Sequence, residues 1–337
     1  MNWFTSFFSW VGSLFGDNEI EEPQPEIENS ENNQVNIEPV NNTQQSTTIV
    51  LEDTTMPDEG QKYALLVGVN KYQAPGNDLR GCVNDVVNMR NMLINVFGFE
   101  AENIRVVVDE RATFDGICER LDWLICKAKP GDQLVFHFSG HGSQIVCRDN
   151  GGELDGMTEL ICPHDMDWDR PLTDDILADY FREVPEDAHL TFIADCCHSG
   201  TISRGEFSGN PHPILPKRII PPIDILMRES GKETTVNKIG IKGRIDKEKI
   251  YSSNVQFINQ KHILLSGCRD NQTSSDAFIA GQFQGALTAN LITAIKKEKN
   301  ATWIDIHDRV LTTIKAGGFT QVPQLSGDRK YLEGNLF

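Results

Sequence analysis

The first 61 residues contain no lysine and no arginine, against twelve Asp or Glu. This absence of cations excludes the charged n-region of a secretory signal peptide and the Lys/Arg face usual for helices on anionic membranes. Over all 337 residues, 31 basic side chains face 49 acidic ones, a formal net charge of −18. Without residues 1–61 the balance is 31 against 37, or −6, so most of the acidity belongs to the N-terminal stretch. A basic footprint is missing, which excludes the nucleic-acid-binding class and leaves basic peptides as partners of complementary charge. No apolar run reaches the ~18–20 residues of a membrane-spanning helix. None of the eight cysteines precedes residue 80, and none forms a CxxC pair or a zinc-ligand spacing. They read as the reduced thiols of a cytoplasmic protein, several of them buried in apolar runs as small hydrophobes.

What is present divides the chain into three parts. Residues 1–16 place Trp3, Phe4, Phe7, Phe8, Val11, Leu14 and Phe15 at helical spacing, an amphipathic helix with an aromatic stripe. Residues 3–15 could meet a membrane interface, a partner's groove or their own domain. Residues 17–59 are rich in Asn, Gln, Glu and Pro and are expected to form a disordered acidic linker. From residue 60 to 337 strand and helix patterns alternate. Strands are expected at 62–70, 104–109, 134–140, 190–196, 262–267 and 322–325, and helices at 82–97, 113–128, 173–183, 284–297 and 303–315. That rhythm predicts an α/β fold with a mostly parallel sheet covered on both faces. Residues 201–258, with five prolines and a Lys-rich run, interrupt it as a linker between a part at 60–200 and a part at 259–337.

Two of these strands end on reactive side chains. Leu134-Val-Phe-His-Phe-Ser-Gly-His141-Gly142 and Leu190-Thr-Phe-Ile-Ala-Asp195-Cys196-Cys197-His198-Ser-Gly each finish on small residues. Parallel sheets bind ligands beyond the carboxyl ends of their strands, so neighbouring ends would bring an imidazole and a thiol over one crevice. An imidazole activates a cysteine nucleophile, and small residues leave backbone N–H groups free for an oxyanion. The amides of Gly142 and Cys197 are the expected oxyanion donors.

Ser139-Gly-His141-Gly and Asp195-Cys-Cys197-His-Ser-Gly resemble the His and Cys motifs of the metacaspases, a branch of the caspase-like cysteine peptidases. Tyr63-Ala-Leu-Leu-Val-Gly-Val-Asn70, Leu79-Arg-Gly-Cys-Val-Asn-Asp85 and Ser266-Gly-Cys-Arg-Asp-Asn-Gln-Thr-Ser-Ser-Asp-Ala277 carry the resemblance across about residues 61–337. It is nearest to the type I and prokaryotic members. The resemblance implies a caspase–haemoglobinase fold, a three-layer α/β/α sandwich, with His141 as general base and Cys197 as nucleophile. Cys196 is the rival thiol, but adjacent strand residues face opposite sides and the motif puts the nucleophile directly before His-Ser-Gly.

The resemblance also places Asp85, Asp195 and Ser139 in the S1 pocket, which implies protein or peptide substrates with Arg or Lys at P1. A solvated helix-face carboxylate is the plain alternative for Asp85. Many metacaspases bind activating calcium through an acidic cluster, whose paired aspartates Asp174 and Asp175 match. Thr158 and Arg204 stand where the family often has further aspartates, so weak or absent calcium dependence is expected and no cofactor is required. Asp174 and Asp175 could equally cap the helix that follows Thr173. The basic residues of 201–258, Lys217 and Arg218 among them, are either self-cleavage sites or a solvated loop. Metacaspases resemble monomers more than obligate dimers. A non-catalytic caspase-like module recruited by the N-terminal helix is the competing function.

Overall fold

β1 (Lys62–Gly68) is apolar along most of its length, and its two faces serve two different cores. The computed structural model describes residues 60–146, 157–197, 212–226, 255–257, 262–269 and 272–337; the expected helix at 1–16 and linker at 17–59 lie outside them. Leu65 and Val67 pack with Phe136, Phe138, Leu190 and Phe192 on one side. Ala64 and Leu66 pack with Val135, Ile193, Ile263 and Leu265 on the other. Alternate residues of a continuously apolar strand go to opposite faces when both faces of a sheet are covered.

The covers are helices. α1 (Cys82–Phe97), α5 (Ala286–Lys297) and α6 (Trp303–Ala316) supply Met89, Leu291 and Trp303 to the second core. α2 (Phe114–Lys127) and α3 (Asp174–Arg182) supply Leu121 and Phe181 to the first. Their starts follow from capping chemistry: the Thr113 hydroxyl takes the Gly116 amide, and Thr302 and Asp305 satisfy each other reciprocally. The covered, mostly parallel sheet read from the alternation, and the three-layer α/β/α sandwich implied by the resemblance, are the observed architecture.

The central sheet has seven strands. β2 (Ile104–Val108), β1, β3 (Gln133–Ser139), β7 (His189–Asp195) and β10 (His262–Ser266) run parallel in that order, and β13 (Gln324–Gly327) joins antiparallel. α7 (Arg329–Leu332) follows it.

The sequence reading missed two small sheets. β4 (Gly142–Val146), β5 (Met157–Ile161) and β6 (Leu172–Thr173) form one, directly after His141. β8 (Leu215–Pro216) and the hairpin β11 (Ser275–Ile279) and β12 (Gln282–Gly285) form the other. Residues 201–258, read as a linker or insertion, hold short elements of their own. Besides β8 they contain α4 (Ile223–Leu226) and the edge strand β9 (Val255–Phe257), which pairs parallel with β13. Two- and three-residue strands held by backbone pairing carry no periodicity to read.

Three histidines sit on central strands, His137 buried and His189 and His262 half-buried. Burial pushes His137 down to about 3, and His189 and His262 down to about 4. Unfolding raises their proton affinity, so the unfolded state binds more protons between those values and ~6.5. Stability is therefore expected to fall as pH drops from about 7 to 4, by up to ~1.4 kcal/mol per pH unit for each histidine, and to flatten below. Urea unfolding at pH 7, 5.5 and 4.5 reads this, and a flat profile refutes it.

Candidate active site

The site begins with a register. Ser139 and Asp195, the last residues of β3 and β7, are direct partners across the central parallel pair, and Gly68 of β1 pairs with Ser139 from the other side. The chain turns immediately after each, so His141 and Cys197 follow on adjacent crossings of the sheet's carboxyl edge.

His141 is buried and held from three sides. Its amide donates to the Tyr72 hydroxyl at 2.7 Å, its ring lies 4.7 Å from the Tyr72 ring, and its carbonyl accepts the Cys162 amide. Nε2 donates to the Asn77 carbonyl at 2.7 Å. That bond fixes the tautomer, leaving the Nδ1 lone pair buried without a hydrogen-bond partner. Burial pushes the imidazole down to about 4 against the pull of the Asn77 carbonyl, so the ring is neutral at neutral pH.

Both cysteines of Asp195-Cys-Cys lie just past β7, but they part company. Cys196 packs in the first core. Cys197 is not in it; its Sγ accepts the Ser274 amide and lies 3.7 Å from the Ser274 carbonyl. Cys268 is close by, its Sγ donating to the Gln272 carbonyl at 3.3 Å. Gly142 passes so near that a Cβ there would collide with the Cys197 carbonyl, which explains a glycine after the histidine.

Lys217 occupies the crevice. Its side chain is fully buried, with Nζ donating to Ser139 Oγ at 2.8 Å and paired with Asp195 Oδ1 at 3.1 Å and Asp85 Oδ2 at 3.3 Å. Its carbonyl oxygen accepts two amides, from Gly142 at 3.1 Å and Cys197 at 3.2 Å. The flanking chain is clamped by backbone: Lys217 N donates to Ser274 O, Ile219 N to Gly142 O, and Ser143 Oγ to Ile219 O. Lys217 and Arg218 are thus not residues of a solvated loop. Two buried carboxylates compensate the ammonium, and Arg218 is also buried.

The pocket's walls come from five elements. Asp85, on α1, takes the Ser139 hydroxyl and the Gly285 amide. Asp195 takes the Ser274 hydroxyl at 2.9 Å and both the amide and hydroxyl of Thr288, at 2.9 and 2.8 Å. Thr288 lies in the first turn of α5, which has no side-chain cap, so the carboxylate satisfies a free helix amide. Burial opposes ionisation of Asp195, but Lys217 and Thr288 outweigh it and hold the carboxyl below its ordinary range. Burial dominates at Asp85 and raises it, with Asp195 adding and Lys217 opposing. Lys217 stays protonated, because the two carboxylates outweigh burial. Gly285 floors the pocket beside Asp195 Oδ2 and Lys217 Nζ.

Comparison with known proteins decides the family. The model of the metacaspase, peptidase C14 domain, matches residues 62–204. Metacaspase-1 of Candida glabrata is 31% identical over 295 residues, spanning 79% of this chain and 72% of that protein. This chain belongs to the metacaspase family. Metacaspase-1 of Debaryomyces hansenii is 33% identical over 79% of this chain and 64% of its own length. A solved structure of a Geobacter sulfurreducens protein shares the fold at a TM-score of 0.58 and 22% identity, covering 82% of this chain and 98% of that one. The metacaspase is accordingly a caspase-like cysteine endopeptidase acting on protein substrates.

In this metacaspase the paired aspartates matched to calcium open α3, directly after β6. The Thr173 hydroxyl takes the Ile176 amide, and Asp174 and Asp175 occupy the first turn of α3. Burial, with Glu159 and Asp175 adding, pushes Asp174 up to about 7. Thr158 is buried opposite Ile145, and Arg204 lies outside the described residues. Among the described residues no group of three or more His, Cys, Asp or Glu is placed to hold a metal ion. Among the described residues no helix is long and apolar enough to cross a membrane.

Sequence reasoning had singled out His141, Cys197, Gly142, Asp85, Asp195 and Ser139, and the fold brings all six together around Lys217. It missed Tyr72, Asn77, Ser274, Gly285 and Thr288. Ser274 was inside a quoted motif. Gly285-Ala-Leu-Thr288 at a helix start carried a signal too, since a helix opening without a side-chain cap leaves free amides for another carboxylate.

Proposed function

We propose that this metacaspase cleaves after lysine or arginine through a Cys197–His141 dyad, and that its first substrate is its own Lys217–Arg218 bond. One observation carries the reading: a lysine side chain fills the acidic pocket while the same residue's carbonyl points at two amides beside Cys197. That is the pose a P1 lysine needs before attack. His141 Nδ1 takes the Cys197 thiol proton, and the thiolate adds to the Lys217 carbonyl carbon. The oxyanion keeps the amides of Gly142 and Cys197. Collapse breaks the bond to Arg218, whose nitrogen leaves with the proton from His141. Water then hydrolyses the Lys217 thioester. Calcium dependence is weak or absent in this reading.

The test uses fluorogenic Arg, Lys, Asp and Asn peptides with the purified protein, in calcium and in chelator, beside Cys197→Ala and Cys196→Ala. Arg and Lys turnover lost in Cys197→Ala alone is the expected result, together with a mass-spectrometric cut after Lys217 in wild type. Absence of any cleavage by folded protein favours the non-catalytic module, and Asp or Asn cleavage overturns the pocket assignment. Loss of turnover in chelator overturns the calcium reading.

A further inference from the structure

The chain that carries Lys217 into the pocket is held well upstream of it. Leu215 and Pro216 pair antiparallel with Asp276 and Ser275 of β11, and Lys217 N donates to the Ser274 carbonyl at 3.0 Å. This strand addition fixes a register, so each preceding residue has a defined place on the β11–β12 hairpin. His212 falls sixth from the Lys217–Arg218 bond, counting Lys217 as first.

At that place the hairpin presents two aromatic rings. Phe278 and Phe283 are direct cross-strand partners, with centroids 5.2 Å apart at 71°. The His212 ring sits 4.3 Å from Phe278 and 5.4 Å from Phe283. Arg80 closes the arrangement: its guanidinium lies 4.0 Å over the Phe283 ring and its Nη2 donates to the Pro213 carbonyl. Its backbone amide donates to Asp276 Oδ2 at 2.7 Å, and Asn84 Nδ2 to the Phe283 carbonyl at 2.9 Å. The clamp is therefore tied to α1 and to the strand that aligns the segment, independently of the acidic pocket. One hydrogen bond goes to a peptide carbonyl, which every substrate carries, and the selective contact is with a planar ring.

We propose that Arg80, Phe278 and Phe283 form a distal subsite of the cleft. It takes a ring, imidazole or aromatic, six residues before the scissile bond, so the favoured substrates are extended peptides with a ring at that position and lysine or arginine at P1. The proposal rests on the reading that the segment ending at Lys217 lies in the substrate cleft. The Arg80 guanidinium already supplies a cation beside the Phe283 ring, so an uncharged ring such as phenylalanine binds at least as well as histidine.

The experiment compares fluorogenic Ile-Leu-Pro-Lys with hexapeptides extended by His-Pro, Phe-Pro or Ala-Pro, using the full-length, self-processed protein. The ring-bearing hexapeptides are expected to show a KM about 2- to 10-fold below that of the Ala-Pro peptide, at similar kcat. Phe283→Ala is expected to erase that difference. Equal KM values for the three hexapeptides overturn the proposal, as does a Phe283→Ala variant that keeps the ring preference. No turnover of the tetrapeptide is instead a failure of the dyad reading. The distal site is then read by fluorescence polarisation of the three labelled hexapeptides on the His212→Ala, Lys217→Ala chain, whose own segment offers neither ring nor lysine to the cleft. Tighter binding of the ring-bearing peptides supports the subsite, and equal binding overturns it.

Discussion

Gly285→Ala is expected to lower kcat/KM for Arg and Lys substrates by at least ~100-fold, about 2.7 kcal/mol of transition-state binding. The added methyl would sit well inside the closest approach of real Cβ atoms to Asp195 Oδ2 and Lys217 Nζ. Asp195 cannot step aside, because Ser274 and both polar groups of Thr288 hold its two oxygens. The backbone is no obstacle, since Gly285 has φ −69 and ψ 135, ordinary for alanine. The substitution thus fills the pocket without straining the chain. Cleavage after Lys217 in cis should fail with it, and overpacking should cost a further ~1–3 kcal/mol of stability. Steady-state kinetics with an Arg peptide, alongside a thermal melt, separate the two effects. Activity within twofold of wild type would mean that the basic side chain is bound elsewhere.

Lys217→Ala is the second large effect, and it acts on folding. Removing one partner of a buried ion pair leaves the other charged and unsolvated, which costs ~3–5 kcal/mol. Here two carboxylates, Asp85 and Asp195, lose the ammonium that both contact. In a domain of this size that corresponds to a melting temperature lower by roughly 6–15 °C. The carboxylates can recover by sharing a proton, as close acidic pairs do. Their folded-state proton affinity then rises above the unfolded value, so the variant's deficit should shrink as pH falls toward 5 and widen toward 8. A deficit independent of pH would point to lost packing alone. Lys217→Arg keeps a charge and should recover much of the stability.

The central layers were legible because they follow simple periodicities. β1, β3 and β7 are apolar runs bounded by turns, and α2 and α6 carry capping residues where the pattern starts. His141, Cys197 and Asp195 were legible because strand ends carry them, and Asp85 because its motif at the start of α1 is dense. The occupant of the pocket was not. Lys217 stands in a stretch with five prolines and no periodicity, and its place is set by partners 132 and 78 residues away, Asp85 and Ser139. The β4–β6 and β8–β11–β12 sheets escaped for a related reason: their short strands are held by backbone hydrogen bonds, which leave little trace in side-chain pattern. Gly285 and Thr288 contribute amides, and an amide is common to nearly every residue.

The occupied pocket has a kinetic meaning beyond its chemistry. The blocking lysine and the cleft it blocks belong to one polypeptide, so their encounter is unimolecular. Dilution cannot relieve it, and a competing peptide must overcome a local concentration set by the covalent connection rather than by the amount of protein present. Severing the chain after Lys217 would release Arg218 and Ile219 from β4, yet leave residues 212–217 on the same piece as Cys197. Latency would then outlast the cut, and the rate at which that stub leaves β11 would set the delay before a foreign chain could enter.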